Sequence, residues 1–358
     1  MIPFLRPNIP TIEDFKKYLN KSYDTRIFSN NGPCTQELET RLQTYMGVGY
    51  KPVLMCNATI ALTVLLEAFN LNNADILIPS FTFSATAHSV LNAKCKPILV
   101  DIDDDLYMCL KDASKKITKN TKAMIVVHTV GYVPEYKKYE EFAKENNLIL
   151  IFDSAATLGA SYSDGKKVGI AGDAEVFSLH ATKTFGIGEG SLVTSKHGKV
   201  LDICRQMINF GFEQHNSTMF GTNAKISEFH AAVGLATLDV IDIKINTKNQ
   251  IFEYYKSLFI PSLNVRYLNN NSAHQVFPII FEAEKTRNDV QNALSKREIG
   301  NKIYYTPIHR QDYFKKICSI DNLDRTNYYA DRILCIPFFE EISKYEQNTV
   351  FNTIRGVL

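Results

Sequence analysis

No Cys-x-x-Cys spacing occurs among the seven scattered cysteines of this 358-residue chain, and an odd set without such pairs excludes both a zinc site and a disulfide framework. A reducing cytoplasm is the expected compartment. No stretch approaches the ~18 consecutive apolar residues of a membrane span, and Met1-Ile2-Pro3-Phe4-Leu5-Arg6-Pro7 lacks the basic start and long apolar core of an export signal. Neither export nor membrane attachment is expected. An excess of charge is missing too: 40 Lys and Arg against 38 Asp and Glu leave a net charge of +2. The lysines of Lys111-Asp112-Ala113-Ser114-Lys115-Lys116 read as one solvated helix face rather than a nucleic-acid stripe. Small-molecule partners follow.

Several familiar chemistries fail in detail. Gly186-Ile187-Gly188-Glu189-Gly190 suggests a nucleotide loop, yet the third glycine of G-x-G-x-x-G falls on Ser191, and no βαβ unit of ~30 residues surrounds it in the required order. Asp101-Ile102-Asp103-Asp104-Asp105 imitates a calcium loop, but Leu106 stands for the glycine and Asp112 for the final glutamate. The G-x-S-x-G elbow of a hydrolase is missing. Repeats and low-complexity tracts are missing as well.

What is present is an alternation of short apolar runs with helix-length segments, the signature of an α/β sheet. Strands are predicted at Pro52–Cys56, Ile76–Pro79, Pro97–Asp101, Ala123–His128, Leu148–Asp153, Glu175–Leu179 and Ser191–Ser195. Several are uninterrupted rather than alternating, as burial on both faces requires. Helices are predicted at Thr59–Phe69, at Pro134–Asn146 with proline in an early turn, and at Lys225–Asp239, where Ile226, Phe229, Ala232, Val233, Leu235 and Ala236 make an apolar face. The length exceeds the ~100–200 residues of one domain. Ile241–Asn249 reads as a boundary, giving a large domain over 1–245 and a small α/β domain over 246–358 that includes a strand at Gln275–Phe281. The first ~15 residues are expected to pack on the small domain.

Lys183 is the most informative residue, because it follows the apolar run Val176-Phe177-Ser178-Leu179 and heads a glycine-rich turn. Alone it would be a solvated loop charge. Asn147-Leu148-Ile149-Leu150-Ile151-Phe152-Asp153 is a buried strand with a carboxylate at its carboxyl end, where α/β sheets bind ligands. An amine for a Schiff base and an anion to keep a pyridine nitrogen protonated are the two groups that pyridoxal phosphate needs.

Several segments then resemble the DegT/DnrJ/StrS sugar aminotransferases, nearly from end to end. Ser29-Asn30-Asn31-Gly32-Pro33 with Leu38-Glu39 is similar to the family's T-N-x-G-P…L-E, and Cys56-Asn57-Ala58-Thr59-Ile60-Ala61-Leu62 to its phosphate turn. Ile78-Pro79-Ser80-Phe81-Thr82-Phe83-Ser84-Ala85-Thr86 resembles P-S-x-T-F-x-A-T, and Asp153-Ser154-Ala155-Ala156-Thr157-Leu158-Gly159-Ala160 resembles D-A-A-Q-A-x-G-A. Phe177 to Gly190 matches the lysine motif, and Gly221-Thr222-Asn223-Ala224-Lys225-Ile226-Ser227-Glu228 matches G-x-N-x-[RK]-x-S-E. Each piece is weak alone; their order and spacing are specific.

The resemblance implies a fold-type-I enzyme with a mainly parallel seven-stranded sheet, working as a homodimer with shared active sites. Thr59 and the Ile60 amide would take the phosphate at a helix N-terminus, the plain alternative for Thr59 being an N-cap. Ser178 would add a hydroxyl, Phe83 would stack on the pyridine ring, and Asn223 would reach the neighbouring subunit's cofactor. His180, Lys225 and His309 would meet substrate, His180 as a positioning residue, while Lys183 itself carries the proton. The family's dehydratase branch has histidine in place of this lysine, so Lys183 points to amino transfer. Two positions depart from the pattern: Ala58 replaces a glycine, suggesting a turn that does not need φ > 0, and Ala156 replaces the residue beside the cofactor's 3-oxygen, leaving Thr157 as a substitute donor. The expected reaction moves nitrogen from an amino acid, L-glutamate first, to a nucleotide-linked keto sugar. Arg6-Pro7-Asn8-Ile9-Pro10 most resembles the branch forming dTDP-4-amino-4,6-dideoxyglucose for O-antigens; a 3-keto sugar nucleotide or a small phosphorylated ketone is the alternative. A non-enzymatic regulator retaining the fold is disfavoured, since it has no need of such an amine.

Overall fold

The computed structural model describes residues 1–259, 266–267, 273–319 and 321–358. Strands β1 (Val53–Met55), β2 (Asp75–Pro79), β3 (Lys96–Val100), β4 (Thr121–Val127), β5 (Ile149–Asp153), β6 (Ala174–Ser178) and β7 (Ser191–Ser195) form one sheet in the order β1-β7-β6-β5-β4-β2-β3. Only β7 runs against its neighbours. Alternate residues of the central strands enter separate cores on the two faces: Leu150 and Phe152 join one, Ile151 the other. That two-sided burial is why the runs are continuous in sequence.

Helices α1 (Ile12–Thr25), α2 (Pro33–Met46), α3 (Ala58–Ala68), α4 (Ser84–Asn92), α5 (Leu110–Lys116), α6 (Tyr136–Glu145), α7 (Gly198–Met207) and α8 (Glu228–Phe259) accompany this sheet, and a small hairpin of β8 (Phe212–Glu213) and β9 (Asn216–Ser217) follows α7. A second, antiparallel sheet of β10 (Arg266–Tyr267), β11 (Phe277–Ile280) and β12 (Ile333–Ile336) lies in the C-terminal part with α9 (Glu284–Lys296), α10 (Asp324–Arg332) and α11 (Lys344–Arg355). The chain's beginning joins this part: Ile2 bridges to Ile299, and the Phe338 N–H donates to the Phe4 carbonyl at 3.1 Å. Gly300 makes the approach feasible, since a Cβ there would stand 2.3 Å from the Phe4 nitrogen.

Three expectations need correction. Pro134 precedes α6, whose N-cap is Glu135, so the proline directs the chain into the helix without belonging to it. The helix expected over Lys225–Asp239 begins at Glu228 and continues to Phe259, so the expected domain boundary at residue 245 falls within one long helix. Phe229 is 46% exposed and stacks on Phe28, with ring centroids 6.0 Å apart, instead of joining the apolar face. The buried face of α8 beyond it is Ile241, Lys244, Lys248, Ile251, Phe252 and Tyr255, a helical stripe that contains two lysines.

The N-terminus of α2 has no cap of its own, because Gly32 stands at the N-cap position. The buried Glu228 carboxylate supplies one from α8, accepting from the Cys34 N–H (2.6 Å), the Thr35 N–H (3.1 Å), the Ser22 hydroxyl (3.2 Å) and the Thr35 hydroxyl. It satisfies orphan donors and meets the positive end of the helix dipole. Glu228→Ala would strand those donors, so a loss of about 3 kcal/mol is expected. Denaturant unfolding should show it as a lower midpoint at unchanged m-value; an unchanged midpoint would mean that water replaces the cap without cost.

Candidate active site

β5 ends at Asp153 because the strand's apolar run ends there, leaving the carboxylate at the carboxyl edge of the sheet. Its Oδ2 accepts from the Thr86 hydroxyl (2.8 Å) and its Oδ1 from the Ala155 N–H (3.3 Å). Thr86 lies in the first turn of α4, within 3.0 Å of the Thr82 hydroxyl. Burial pushes the Asp153 carboxyl above the usual range, while the Thr86 and Ala155 donors and the Lys183 charge pull it down. Hydrogen bonds and a facing cation favour the ionised form.

Lys183 sits in the connection from β6 to β7. Leu179 and Ala181 pair back onto Gly190 and Gly188, through Leu179 N–H to Gly190 O and Ala181 N–H to Gly188 O, both 2.8 Å, and Ile187 N–H returns to Leu179 O at 2.9 Å. Gly188, at φ +101°, makes the reversal, and a Cβ on Gly186 would stand 2.6 Å from the Ala181 carbonyl oxygen. Burial holds the Lys183 amine below the ordinary lysine range, and the Asp153 charge opposes this. The two groups thus feel each other. No ion pair or hydrogen bond joins them among the described residues, so the amine is free to react and the carboxylate free to hold another cation.

The same turn places Ser178 and His180. The Ser178 hydroxyl oxygen accepts from the His180 N–H at 3.3 Å, and His180 keeps Nδ1 2.8 Å from the Thr182 hydroxyl and Nε2 3.7 Å from Glu189. Burial pushes the Cys56 thiol up, and the charge of Glu189, in this turn, acts in the same direction.

At α3 the structure corrects the expectation in part. Asn57 is the N-cap, its side chain accepting from the Ile60 N–H at 3.0 Å, so Thr59 is not the cap and the Ile60 amide is already engaged. The Ala58 and Thr59 amides open the helix with no acceptor among the described residues. Ala58 is the first helical residue and has no positive φ, which accounts for alanine where a glycine is usual. Phe83 stands at the N-cap of α4 and is 60% exposed, so it does not belong to the core.

Ala156 is partly buried, but Thr157 does not stand in for a longer side chain there. Thr157 is fully buried and its hydroxyl is taken up by the Ser154 carbonyl (3.1 Å) and His128 Nδ1 (2.8 Å). His309 also differs from expectation: it is buried, with Nδ1 2.7 Å from the Ser80 hydroxyl and Nε2 3.0 Å from Asn327 Oδ1. Both ring nitrogens are engaged, so His309 is a strut between the end of β2 and α10. Lys225 lies apart from Lys183, donating to Asn209 Oδ1 (2.9 Å) with its Nζ 4.7 Å from the Phe210 ring centroid, in a cleft that Asn30, Asn31 and Arg205 also line. Asn223 is exposed; its neighbour Ala224 accepts from the Cys56 N–H at 2.8 Å, so this segment runs beside the α3 turn of its own chain.

Sequence reasoning missed Thr86 as Asp153's partner, although its place three residues after Phe83 puts both on one helical turn. It also missed Lys248. No helix among the described residues is long and apolar enough to cross a membrane, and no group of three or more metal-ligating side chains occurs among them.

The arrangement is similar to known proteins along the whole chain. The model of the DegT/DnrJ/EryC1/StrS aminotransferase family matches residues 11–355. The chain is 31% identical to dTDP-4-amino-4,6-dideoxy-D-glucose transaminase of Shigella dysenteriae, over 98% of each. It is 27% identical to GDP-perosamine synthase of Vibrio cholerae, over 99% of each. A solved structure of a candidate PLP-dependent aminotransferase from Bacillus cereus superposes with a TM-score of 0.92 at 29% identity, over 99% of each chain.

Proposed function

Because this chain belongs to the DegT/DnrJ/EryC1/StrS aminotransferase family, we propose that it moves an amino group from L-glutamate to dTDP-4-keto-6-deoxy-D-glucose, giving dTDP-4-amino-4,6-dideoxy-D-glucose for O-antigen or another surface glycan. It is a pyridoxal-phosphate-dependent sugar aminotransferase. The likeness to the Shigella transaminase supports the choice of sugar nucleotide. A second reading, a GDP-linked keto sugar, is supported by the likeness to the Vibrio synthase.

The observation that carries the reading is the pair Lys183 and Asp153, facing each other yet unpaired. The donor set fits the cofactor: an amine below its ordinary range, a carboxylate held by Thr86, open amides and a hydroxyl at α3, and an exposed aromatic face. When bound, pyridoxal phosphate supplies an electrophilic aldehyde and a cationic ring that takes up an electron pair. Ala58 and Thr59 would hold its phosphate through backbone N–H groups and the α3 dipole, with Ser178 adding a donor. Phe83 would cover one ring face, and the Asp153 carboxylate would keep the ring nitrogen protonated. Lys183 Nζ would be the base that takes the proton from the donor's Cα and the acid that delivers one to the sugar carbon. His180 fixes the turn through Thr182. The protein is proposed to act as a homodimer in which Asn223 serves the partner's site, to reside in the cytoplasm, and to divide functionally into a cofactor part over 1–245 and a small part over 246–358.

A mass-spectrometric screen of keto sugar nucleotides with L-glutamate tests the assignment. The expected product carries an amino group in place of the carbonyl oxygen of dTDP-4-keto-6-deoxy-D-glucose. Turnover only with GDP-linked or 3-keto sugars, or with a small phosphorylated ketone, would replace the assignment.

A further inference from the structure

Lys248 is a lysine on the buried stripe of α8, 4% exposed, with no carboxylate at ion-pair distance among the described residues. Its Nζ donates to the Thr184 hydroxyl at 3.0 Å, and Thr184 in turn donates to the Ala273 carbonyl at 3.3 Å. On the other side of Lys183, the Thr182 carbonyl accepts from Gln275 Nε2 at 2.6 Å. Both chain neighbours of Lys183 are therefore clasped, one of them by a buried cation. We propose that Lys248 is a positioning residue for Lys183: its ammonium anchors the turn through Thr184 and sets a fixed positive charge behind the reacting amine.

The charged groups around it support this. Glu340 attracts Lys248 but is itself paired with Lys244 at 3.0 Å; His274, leading into β11, and Lys183, in the turn after β6, face Lys248 as well. Asp153 is the opposing charge on Lys183. Burial first, then Lys244 and Lys183, bring Lys248 down to about 8, against Glu340. Repulsion between two ammonium groups is mutual, so a charged Lys248 disfavours a proton on Lys183, and a freed Lys183 must be uncharged to accept one from substrate. A lysine that merely filled space would do none of this.

The inference rests on Lys183 as the reacting amine, and its test does not depend on the sugar. The cofactor-loaded full-length protein is titrated with pH, and the midpoint of the change in its visible absorption reports the proton on the Lys183 nitrogen. In Lys248→Met that midpoint should rise by about one pH unit, and in Lys248→Arg it should stay close to the parent. pH-dependent acylation of Lys183 in the cofactor-free protein, followed by peptide mass spectrometry, should show the same upward shift. Thr184→Val keeps the charge and frees the turn, so kcat should fall with KM for the sugar nucleotide little changed. Should Lys248→Met prove too unstable to purify, Lys248→Gln removes the charge and keeps a donor for Thr184. A folded Lys248→Met or Lys248→Gln with unmoved midpoints overturns the proposal. Borohydride fixing the cofactor to another lysine would instead overturn the assignment of Lys183 itself.

Discussion

Lys183→Ala is expected to abolish amino transfer, lowering the rate by at least about 10³-fold, because one side chain is proposed to be both the nucleophile that holds the cofactor and the base that moves the proton. Folding should survive. The amine has no ion pair among the described residues, and burial already works against its charge, so its removal strands no partner. Cofactor should still bind without a covalent bond, because the open amides of α3 and the Asp153 carboxylate are separate anchors. Equilibrium dialysis with pyridoxal phosphate checks binding, and coupled glutamate turnover checks the rate; near-parent turnover would show that another amine does the work. Mixed with Asn223→Ala, the variant should regain part of the activity. If Asn223 serves the partner's site, some mixed dimers carry both defects at one site and none at the other. No recovery despite subunit exchange would return Asn223 to its own chain, where its segment runs beside Cys56.

Asp153→Asn should lower turnover by about 10²-fold or more, comparable to removing one preorganised electrostatic group from a dry site. Asparagine keeps the shape: its Oδ1 can still accept from the Ala155 N–H while its Nδ2 donates to the Thr86 hydroxyl, so the loss comes chiefly from the charge. What would disappear is the anion proposed to keep the ring nitrogen of the bound cofactor protonated, and with it the ring's electron-withdrawing charge. The bound cofactor's absorption should change while the thermal midpoint stays near the parent's. Turnover close to the parent's in a folded Asp153→Asn would remove the carboxylate from the chemistry.

The sheet was legible because its physics is local and repetitive. A strand buried on both faces writes a continuous apolar run, and all seven predicted runs overlap the strands observed, with ends shifted by at most two residues. Asp153 and Lys183 were legible for a related reason: each interrupts or follows such a run at the edge where ligands bind. The continuation of α8 past Asp239 was not, because charge is read as solvent exposure when only sequence is in hand. Lys244 and Lys248 lie on the buried stripe, and what justifies their burial is distant in sequence: the Asn8 carbonyl and Glu340 for one, Thr184 for the other. His309 and Thr157 show the same limit from the other side. Nothing local reveals that Ser80 and Asn327 enclose one, or that His128 turns the other inward.

The clasp of Glu228 on α2 has a temporal side. Its carboxylate and the Cys34 N–H it holds are 194 residues apart in the chain, and synthesis proceeds at about 5–20 residues per second, so the N-terminus of α2 waits roughly 10–40 s for its acceptor. Ile2 waits longer still, for Ile299. Long-range closure of this kind slows folding, because loop entropy is lost before the contact rewards it. During translation the N-terminus of α2 therefore emerges with bare amides that await Glu228, well past the middle of the chain.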